Sequence, residues 1–135
     1  MRILIDTNVI LDIALERQPF VEHAIRLLEM AQQADLTVYV TATTITDLYY
    51  ITRKANGRTI AHDFIVDLLQ IVDIADVDAS VIREALHSEI DDFEDAIQES
   101  AAKKQAIQVI VTRNDADFAN SVLQVYDPES FLKGL

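Results

Sequence analysis

The sequence contains no cysteine and has only two glycines and two prolines. The absence of cysteine excludes disulfide bonds and thiolate metal sites, and it leaves the redox compartment open. The three histidines, His23, His62 and His87, are scattered without the spacing of metal ligands. A zinc site is therefore not expected, and any bound metal would be a hard cation held by oxygen atoms.

Long hydrophobic runs are also missing from the sequence. No apolar segment reaches the roughly 18 residues needed to cross a bilayer, and Asp6 interrupts the first apolar run too early for a signal peptide. Hydrophobic residues still make up 50% of the 135-residue chain, which is enough for one sizeable core. We therefore expect a single domain over residues 1–135, in a cytoplasmic protein that does not bind membranes.

Positive charge is scarce, because 11 Lys and Arg residues stand against 23 Asp and Glu residues, for a formal net charge of −12. This balance argues against binding of nucleic acid by overall attraction to phosphate. It does not exclude a nuclease, since carboxylates around divalent cations count as negative in the sequence while the occupied site is far less so. An acidic surface also suits a basic partner.

Segments that predict strands alternate with segments that predict helices along the chain. Residues 2–6 and 107–112 are apolar without alternation, as expected for strands covered on both faces. The predicted fold class is therefore α/β, a three-layer α/β/α sandwich around a central, mostly parallel sheet. Further strands are predicted at 36–41, 71–75 and 122–126, and helices at 7–16, 20–34, 43–56, from a cap at Thr59 to about 70, from a cap at Asp78 to about 87, at 92–105 and from Pro128.

Acids stand at the carboxyl ends of two predicted strands, where ligands bind in parallel α/β folds. Asp6 ends the first strand, and Asp115 and Asp117 follow the strand at 107–112. Each position has an alternative interpretation as a helix cap, whose side chain accepts hydrogen bonds from exposed backbone N–H groups. Asp6 is thus either a metal ligand or the cap of the helix that follows it.

A third group of acids begins the helix predicted at 92–105. Asp95 follows Asp92 by three residues and Asp91 by four, so its side chain can share a helix face with either of them. Acids in a first helical turn also complement the helix dipole. That alternative explains Asp91 and Asp92 better than Asp95, which lies deeper in the helix.

Asp47 stands among the apolar residues of the helix predicted at 43–56. Asp is unfavourable there by propensity, and it is costly if it is buried without a partner. Alternatively, it faces solvent or pairs with Arg53 or Lys54. Acids that converge from four places on one sheet edge repel one another unless cations lie between them. A Mg²⁺ or Mn²⁺ site is the economical explanation of the whole set.

Four segments, in order and spacing, cover nearly the whole chain and carry a family resemblance. They are IDTN at residues 5–8, the acid at position 47, DFEDAI at 92–97 followed by small residues, and VIVTRNDADF at 109–118. On these segments the chain resembles the PIN-domain family of metal-dependent ribonucleases, which includes the VapC-type toxins of bacterial toxin–antitoxin pairs. The resemblance implies an endoribonuclease that uses Mg²⁺ or Mn²⁺, with RNA as its substrate and an antitoxin protein as its partner. A homodimer is also expected.

The resemblance also implies which residues form the site, carried over position by position. Its acidic ligands and catalytic residues would be Asp6, Asp47, Asp95 and Asp117. One position departs from the family pattern, because the family usually has Glu where Asp47 stands and Asp is one methylene shorter. Asp115 is a rival to Asp117. The polar supports would be Thr7, Asn8, Thr112 and Asn114, with Asp92 as an outer acid.

Two other classes of function compete with a ribonuclease. A regulatory or partner-binding protein with a weak or inactive site is favoured by the net charge and by the short acid at position 47. A phosphatase or phospho-acceptor receiver is disfavoured, since Asp6 lacks a second Asp at i+2 and no glycine-rich loop follows a strand. The basic residues available to an RNA backbone are few: Arg53, Lys54, Arg58, Lys103, Lys104 and Arg113.

Overall fold

The computed structural model describes residues 1–33 and 35–135 and forms one five-stranded sheet flanked by helices. Residue 34, where the second helix is predicted to end, lies outside the described residues. The strands are β1 (Arg2–Ile5), β2 (Thr37–Thr41), β3 (Asp73–Ala75), β4 (Val109–Val111) and β5 (Gln124–Tyr126). The helices are α1 (Thr7–Ala14), α2 (Val21–Ala31), α3 (Ala42–Asn56), α4 (Arg58–Leu68), α5 (Ala79–Ala85), α6 (Phe93–Lys104) and α7 (Pro128–Lys133), with a 3₁₀ turn at Asp115–Phe118.

The sheet has the strand order β3-β2-β1-β4-β5, and each neighbouring pair is parallel. In its centre, Ile5 of β1 lies opposite Val111 of β4. The chain therefore leaves β1, β2 and β4 at the same edge of the sheet. This is the edge at which parallel α/β folds place their ligands.

Alternate residues of the strands enter two separate cores, because successive side chains point to opposite faces of a sheet. Ile3 and Ile5 pack into a core with α1, α2, α3, α4 and α7. Leu4 and Ile110 pack into a second core with α5 and α6. The predicted three-layer α/β/α sandwich is confirmed. Among the described helices, none combines the length and apolar character that crossing a membrane requires.

The helix caps follow the sequence with one exception. Gly57 ends α3 with a φ of 92°, a left-handed conformation that glycine adopts without strain. The prediction that Thr59 caps α4 is wrong, because the chain reverses at Gly57 and α4 restarts at once from Arg58. Asp78 caps α5 as predicted, since its Oδ1 accepts a hydrogen bond from the backbone N–H of Val81.

An ion pair between a buried acid and a partly exposed arginine ties the segment after β4 to α1. Asp12 is fully buried and accepts hydrogen bonds from Nε of Arg113 at 2.7 Å and from Nη2 at 3.1 Å. Nη1 of Arg17 lies 3.8 Å from the same carboxylate. The Arg113 guanidinium also lies 3.9 Å from the ring centroid of Phe20, at cation–π distance. The main contacts of Arg113 are therefore internal, which removes it from the basic residues free to bind RNA.

We predict that Asp12→Ala lowers the free energy of unfolding by about 3 kcal/mol, because Arg113 keeps its charge without the carboxylate that compensates it. Urea denaturation monitored by circular dichroism measures the change. Glu129→Ala is the control, since Glu129 pairs only with Lys133 at the surface and exposed pairs contribute little. Equal stability of the two variants would contradict a structural role for the Asp12–Arg113 pair.

Candidate active site

The carboxylate of Asp6 lies where β1 passes into α1, and three donors hold it. Its Oδ1 accepts hydrogen bonds from the backbone N–H of Thr7 and from Nε2 of Gln98, each at 2.7 Å. Its Oδ2 accepts a hydrogen bond from Oγ1 of Thr112 at 2.7 Å. Asp6 is the N-cap of α1, so the capping interpretation is correct. It also lines the cavity at this edge, so the two interpretations do not exclude one another.

An open cavity of about 320 Å³ lies at this edge of the sheet and gathers the predicted acids. Asp115 is absent from its lining, whereas its rival Asp117 is present. The lining consists of the predicted residues Asp6, Asp47, Asp92, Asp95, Asp117, Thr7, Asn8 and Asn114, together with Leu11, Ile51, Glu94 and Gln98.

The start of α6 determines where its acids lie. Asp92 is the N-cap of α6, and its Oδ1 accepts a hydrogen bond from the backbone N–H of Asp95 at 3.0 Å. Asp95 is therefore held in the first turn, next to the positive end of the helix dipole. Asp92, Asp95 and Asp117 also line a neighbouring cavity of about 260 Å³, so the acidic groove continues beyond the first cavity.

The predicted polar supports form hydrogen bonds that hold other parts of the site in place. Thr112 is fully buried; it donates to Asp6 and accepts a hydrogen bond from the backbone N–H of Asn114 at 3.0 Å. Oγ1 of Thr7 lies 2.8 Å from Oγ1 of Thr44 on α3, so the hydroxyls join α1 to α3. Oδ1 of Asn8 accepts a weak hydrogen bond from the backbone N–H of Arg113, at 3.4 Å.

Burial, a hydrogen bond and neighbouring negative charges raise the pKa of two carboxyl groups on α6. The pKa of Asp95 is raised to about 7, first by burial and then by the charges of Asp6, Asp92 and Asp117. The pKa of Glu94 is raised to about 8, first by a hydrogen bond with the side chain of Asp47 and then by burial and nearby charges. Glu94 from α6 and Asp47 from α3 therefore come together in the lining of the cavity.

Sequence reasoning missed Glu94 and Gln98. Both carry a signal that could have found them, because Gln98 follows Glu94 by four residues and Asp95 by three. Residues at these spacings share a helix face. The rule that grouped Asp92 with Asp95 therefore extends to the next turn of α6.

The donor chemistry of the cavity fits a divalent hard cation. Its lining offers carboxylate, carboxamide and hydroxyl oxygens, which Mg²⁺ and Mn²⁺ prefer. After burial and a hydrogen bond, neighbouring carboxylates are a further cause of the raised pKa values of Asp95 and Glu94. Within residues 1–33 and 35–135, however, no three acidic or histidine side chains converge on one point. Binding therefore requires side-chain rotation within the cavity.

We predict that stability falls as the pH rises from about 4 to about 8 in EDTA. Unfolded carboxyl groups ionise near pH 4, whereas the pKa values of Asp95 and Glu94 stand at about 7 and about 8 in the folded protein. The folded state thus binds more protons in this window, and deprotonation disfavours it. Urea denaturation at pH 5, 6.5 and 8 measures the trend, and Asp95→Asn should reduce it. A stability that rises across this window would contradict the charge crowding.

Comparison with known proteins identifies relatives of this chain. A family model described as PIN domain matches residues 2–116. Ribonuclease VapC1 of Aquifex aeolicus (strain VF5) is 24% identical over 134 residues, which cover 96% of this chain and 92% of the relative.

Two solved structures share the fold. A chain of VapBC2 from Rickettsia felis, bound to a promoter DNA fragment, has a TM-score of 0.76 and 17% identity and covers 94% of this chain and 98% of its own. Mycobacterium tuberculosis VapC20, described as a sarcin–ricin loop cleaving toxin, has a TM-score of 0.68 and 17% identity, covering 90% and 98%. Because the family model spans residues 2–116, the chain belongs to the PIN domain family.

Proposed function

We propose that this PIN domain is a divalent-cation-dependent endoribonuclease and the toxin of a toxin–antitoxin pair. The observation that carries the proposal is the single cavity that brings Asp6, Asp47, Asp95 and Asp117 together at the carboxyl edge of the sheet. RNA as the substrate is supported by the names of two relatives, ribonuclease VapC1 and the sarcin–ricin loop cleaving toxin VapC20.

The residues that would hold Mg²⁺ or Mn²⁺ are Asp6, Asp95 and Asp117, with Asp47 and Glu94 in the lining of the same cavity. When bound, the cation would make a water molecule more acidic and would neutralise charge on the phosphodiester oxygens. The family's usual Glu is replaced by the shorter Asp47, and Glu94 supplies a longer carboxylate beside it. Glu94 therefore offers a carboxylate oxygen to the cation even where the shorter side chain of Asp47 does not reach it.

The chain's own groups supply positioning and proton transfer. Thr112 and Thr7 hold Asp6, so this carboxylate need not reorganise during the reaction. The pKa of Glu94 is raised to about 8, first by a hydrogen bond with the side chain of Asp47. A group whose pKa lies close to the working pH is suited to accept a proton from the attacking water or to donate one to the leaving oxygen.

The structure reduces the number of basic residues that are free to bind the RNA backbone. Three of the six candidates are engaged by acids: Lys103 pairs with Glu84, Lys104 with Asp78 and Arg113 with Asp12.

The other three candidates lie where α3 meets α4. Arg53, Lys54 and Arg58 are exposed, and none of them forms an ion pair with another described residue. Lys54 follows Asp47 by seven residues and Ile51 by three, so all three share a face of α3, with Lys54 about 10 Å along the helix from Asp47. We propose that the RNA backbone leaves the cavity along this face.

An antitoxin partner is supported by the Rickettsia felis relative, which is a VapBC2 complex on promoter DNA. The net charge of −12 suits a basic partner segment. Tyr50 is 60% exposed and stacks edge-on against Tyr49, with ring centroids 5.3 Å apart. This aromatic pair offers a contact for the antitoxin or for a second copy of the chain in a homodimer.

The second candidate function is partner binding by a weak or inactive site. It is favoured by one observation, that no three carboxylates of the described chain converge on a point. Titration of the purified protein with Mn²⁺ by calorimetry separates the two functions. Binding at micromolar to millimolar Mn²⁺ supports the ribonuclease, and no binding in this range supports the alternative.

We predict that Asp95→Asn lowers RNA cleavage in Mn²⁺ by at least about 10-fold, the scale at which even groups that only orient ligands act. Its melting temperature in EDTA should not fall, because the substitution removes a repelling charge from the cavity. Asp67→Asn is the matched control, an exposed acid on α4 outside the cavity lining. Equal cleavage by the two variants would remove Asp95 from the site.

We predict that Lys54→Gln weakens RNA binding and leaves kcat nearly unchanged, because the proposed phosphate contact is made equally in the ground state and the transition state. KM should rise about 3-fold or more and should depend less on salt concentration. Lys103→Gln is the control, since Lys103 is engaged with Glu84. A fall in kcat with unchanged KM would place Lys54 in the chemistry and contradict the proposed RNA path.

A further inference from the structure

We infer that Gln98 is a positioning residue of the active site, whose carboxamide holds the carboxylate of Asp6 in the orientation that binds the cation. The inference rests on the proposed function, because it assigns to Gln98 a role toward the proposed cation. It is carried by the hydrogen bond from Nε2 of Gln98 to Oδ1 of Asp6 at 2.7 Å, which joins residues 92 positions apart in the chain.

Gln98 is an unusual residue for its surroundings. It is 1% exposed and lies in α6 among buried small residues, including Ala101 and Ala102. Its Oε1 is shielded from solvent and finds no hydrogen-bond partner in the part of the chain that the structure describes. An unsatisfied buried acceptor is destabilising, and methionine would fill a similar volume without one. The hydrogen bond from Nε2 to Asp6 is therefore the contact that distinguishes the glutamine from methionine at this position.

The direction of the amide follows from Asp6. If the amide were rotated by half a turn, Oε1 would lie against Oδ1 of Asp6, and two acceptors would face each other. The hydrogen bond to Asp6 thus forces Oε1 into its unsatisfied position. The side chain gives up one hydrogen bond in order to hold this one carboxylate.

The hydrogen bonds of Asp6 also indicate which oxygen remains for a cation. An ionised carboxylate has about four lone-pair positions. Thr7 and Gln98 occupy both positions on Oδ1, and Thr112 occupies one on Oδ2. One position remains, on Oδ2, so Asp6 would contact the cation through that single oxygen.

Helix α6 connects this contact to the second carboxylate of the site. Gln98 lies one turn beyond Asp95 on the same helix face, and both line the cavity. Since Gln98 is bonded to Asp6 and shares its helix with Asp95, it ties the carboxylate of Asp6 to the helix that carries Asp95. Loss of the bond should therefore weaken the binding of a cation that contacts both.

The test compares Gln98→Met with wild type by calorimetric titration of the EDTA-treated protein with Mn²⁺, with melting curves recorded alongside. We expect Mn²⁺ affinity to fall about 10-fold or more, while the metal-free protein remains folded at the temperature of the titration, as its melting curve shows. Thr52→Val is the matched control. Thr52 is also buried, and its Oγ1 has no partner among the described residues, but it does not line the cavity. This control should bind Mn²⁺ as wild type does.

The outcomes separate this inference from the proposed function. Wild-type affinity in a folded Gln98→Met protein overturns the role of Gln98 alone. No Mn²⁺ binding by wild type overturns the proposed function and this role with it. If Gln98→Met does not fold, Gln98→Leu replaces it, and failure of both to fold overturns the inference, because Gln98 would then be a structural residue. A loss of affinity that matches the unfolded fraction overturns it as well.

Discussion

Repulsion between carboxylates is the constraint on which the site depends. Burial and neighbouring charges raise the pKa of Asp95 to about 7, although ionised aspartates are ordinarily favoured far below neutral pH. The fold opposes this repulsion with helix N-termini, since Asp6 caps α1 and Asp92 caps α6. Each N-terminus carries about half a positive charge. These partial charges hold the acids together without neutralising them, which leaves the cavity suited to a cation.

The parallel sheet makes this arrangement rigid. Asp6 follows β1 and Thr112 follows β4, and the adjacent central strands pair in register up to Ile5 and Val111. A one-residue slip of either strand would separate the Thr112 hydroxyl from Oδ2 of Asp6. The Asp12–Arg113 pair holds the segment after β4 against α1. The site thus lies on well-packed elements, and its side chains alone must move to receive a ligand.

The sequence predicted the features that depend on local pattern. The apolar runs at 2–6 and 107–112 gave the central strands of the sheet, and the acids at strand ends and in the first turn of α6 gave most of the cavity. Contacts between distant segments were not predictable in this way. By sequence alone Arg113 is one of several candidates to bind the RNA backbone, because nothing in the local sequence shows that it meets Asp12 across 101 positions. The hydrogen bond from Gln98 to Asp6 is likewise a contact between distant segments that the local sequence does not show.

We propose that this edge of the sheet is a cation site built on Asp6, Asp95 and Asp117. The most direct test of this proposal is a crystal of the protein soaked in millimolar Mn²⁺, with the anomalous signal of manganese measured near its absorption edge. The account predicts an anomalous peak in the cavity, at coordination distance from Oδ2 of Asp6 and from a carboxylate oxygen of Asp95. An empty cavity, or a peak only at surface acids elsewhere, would contradict it.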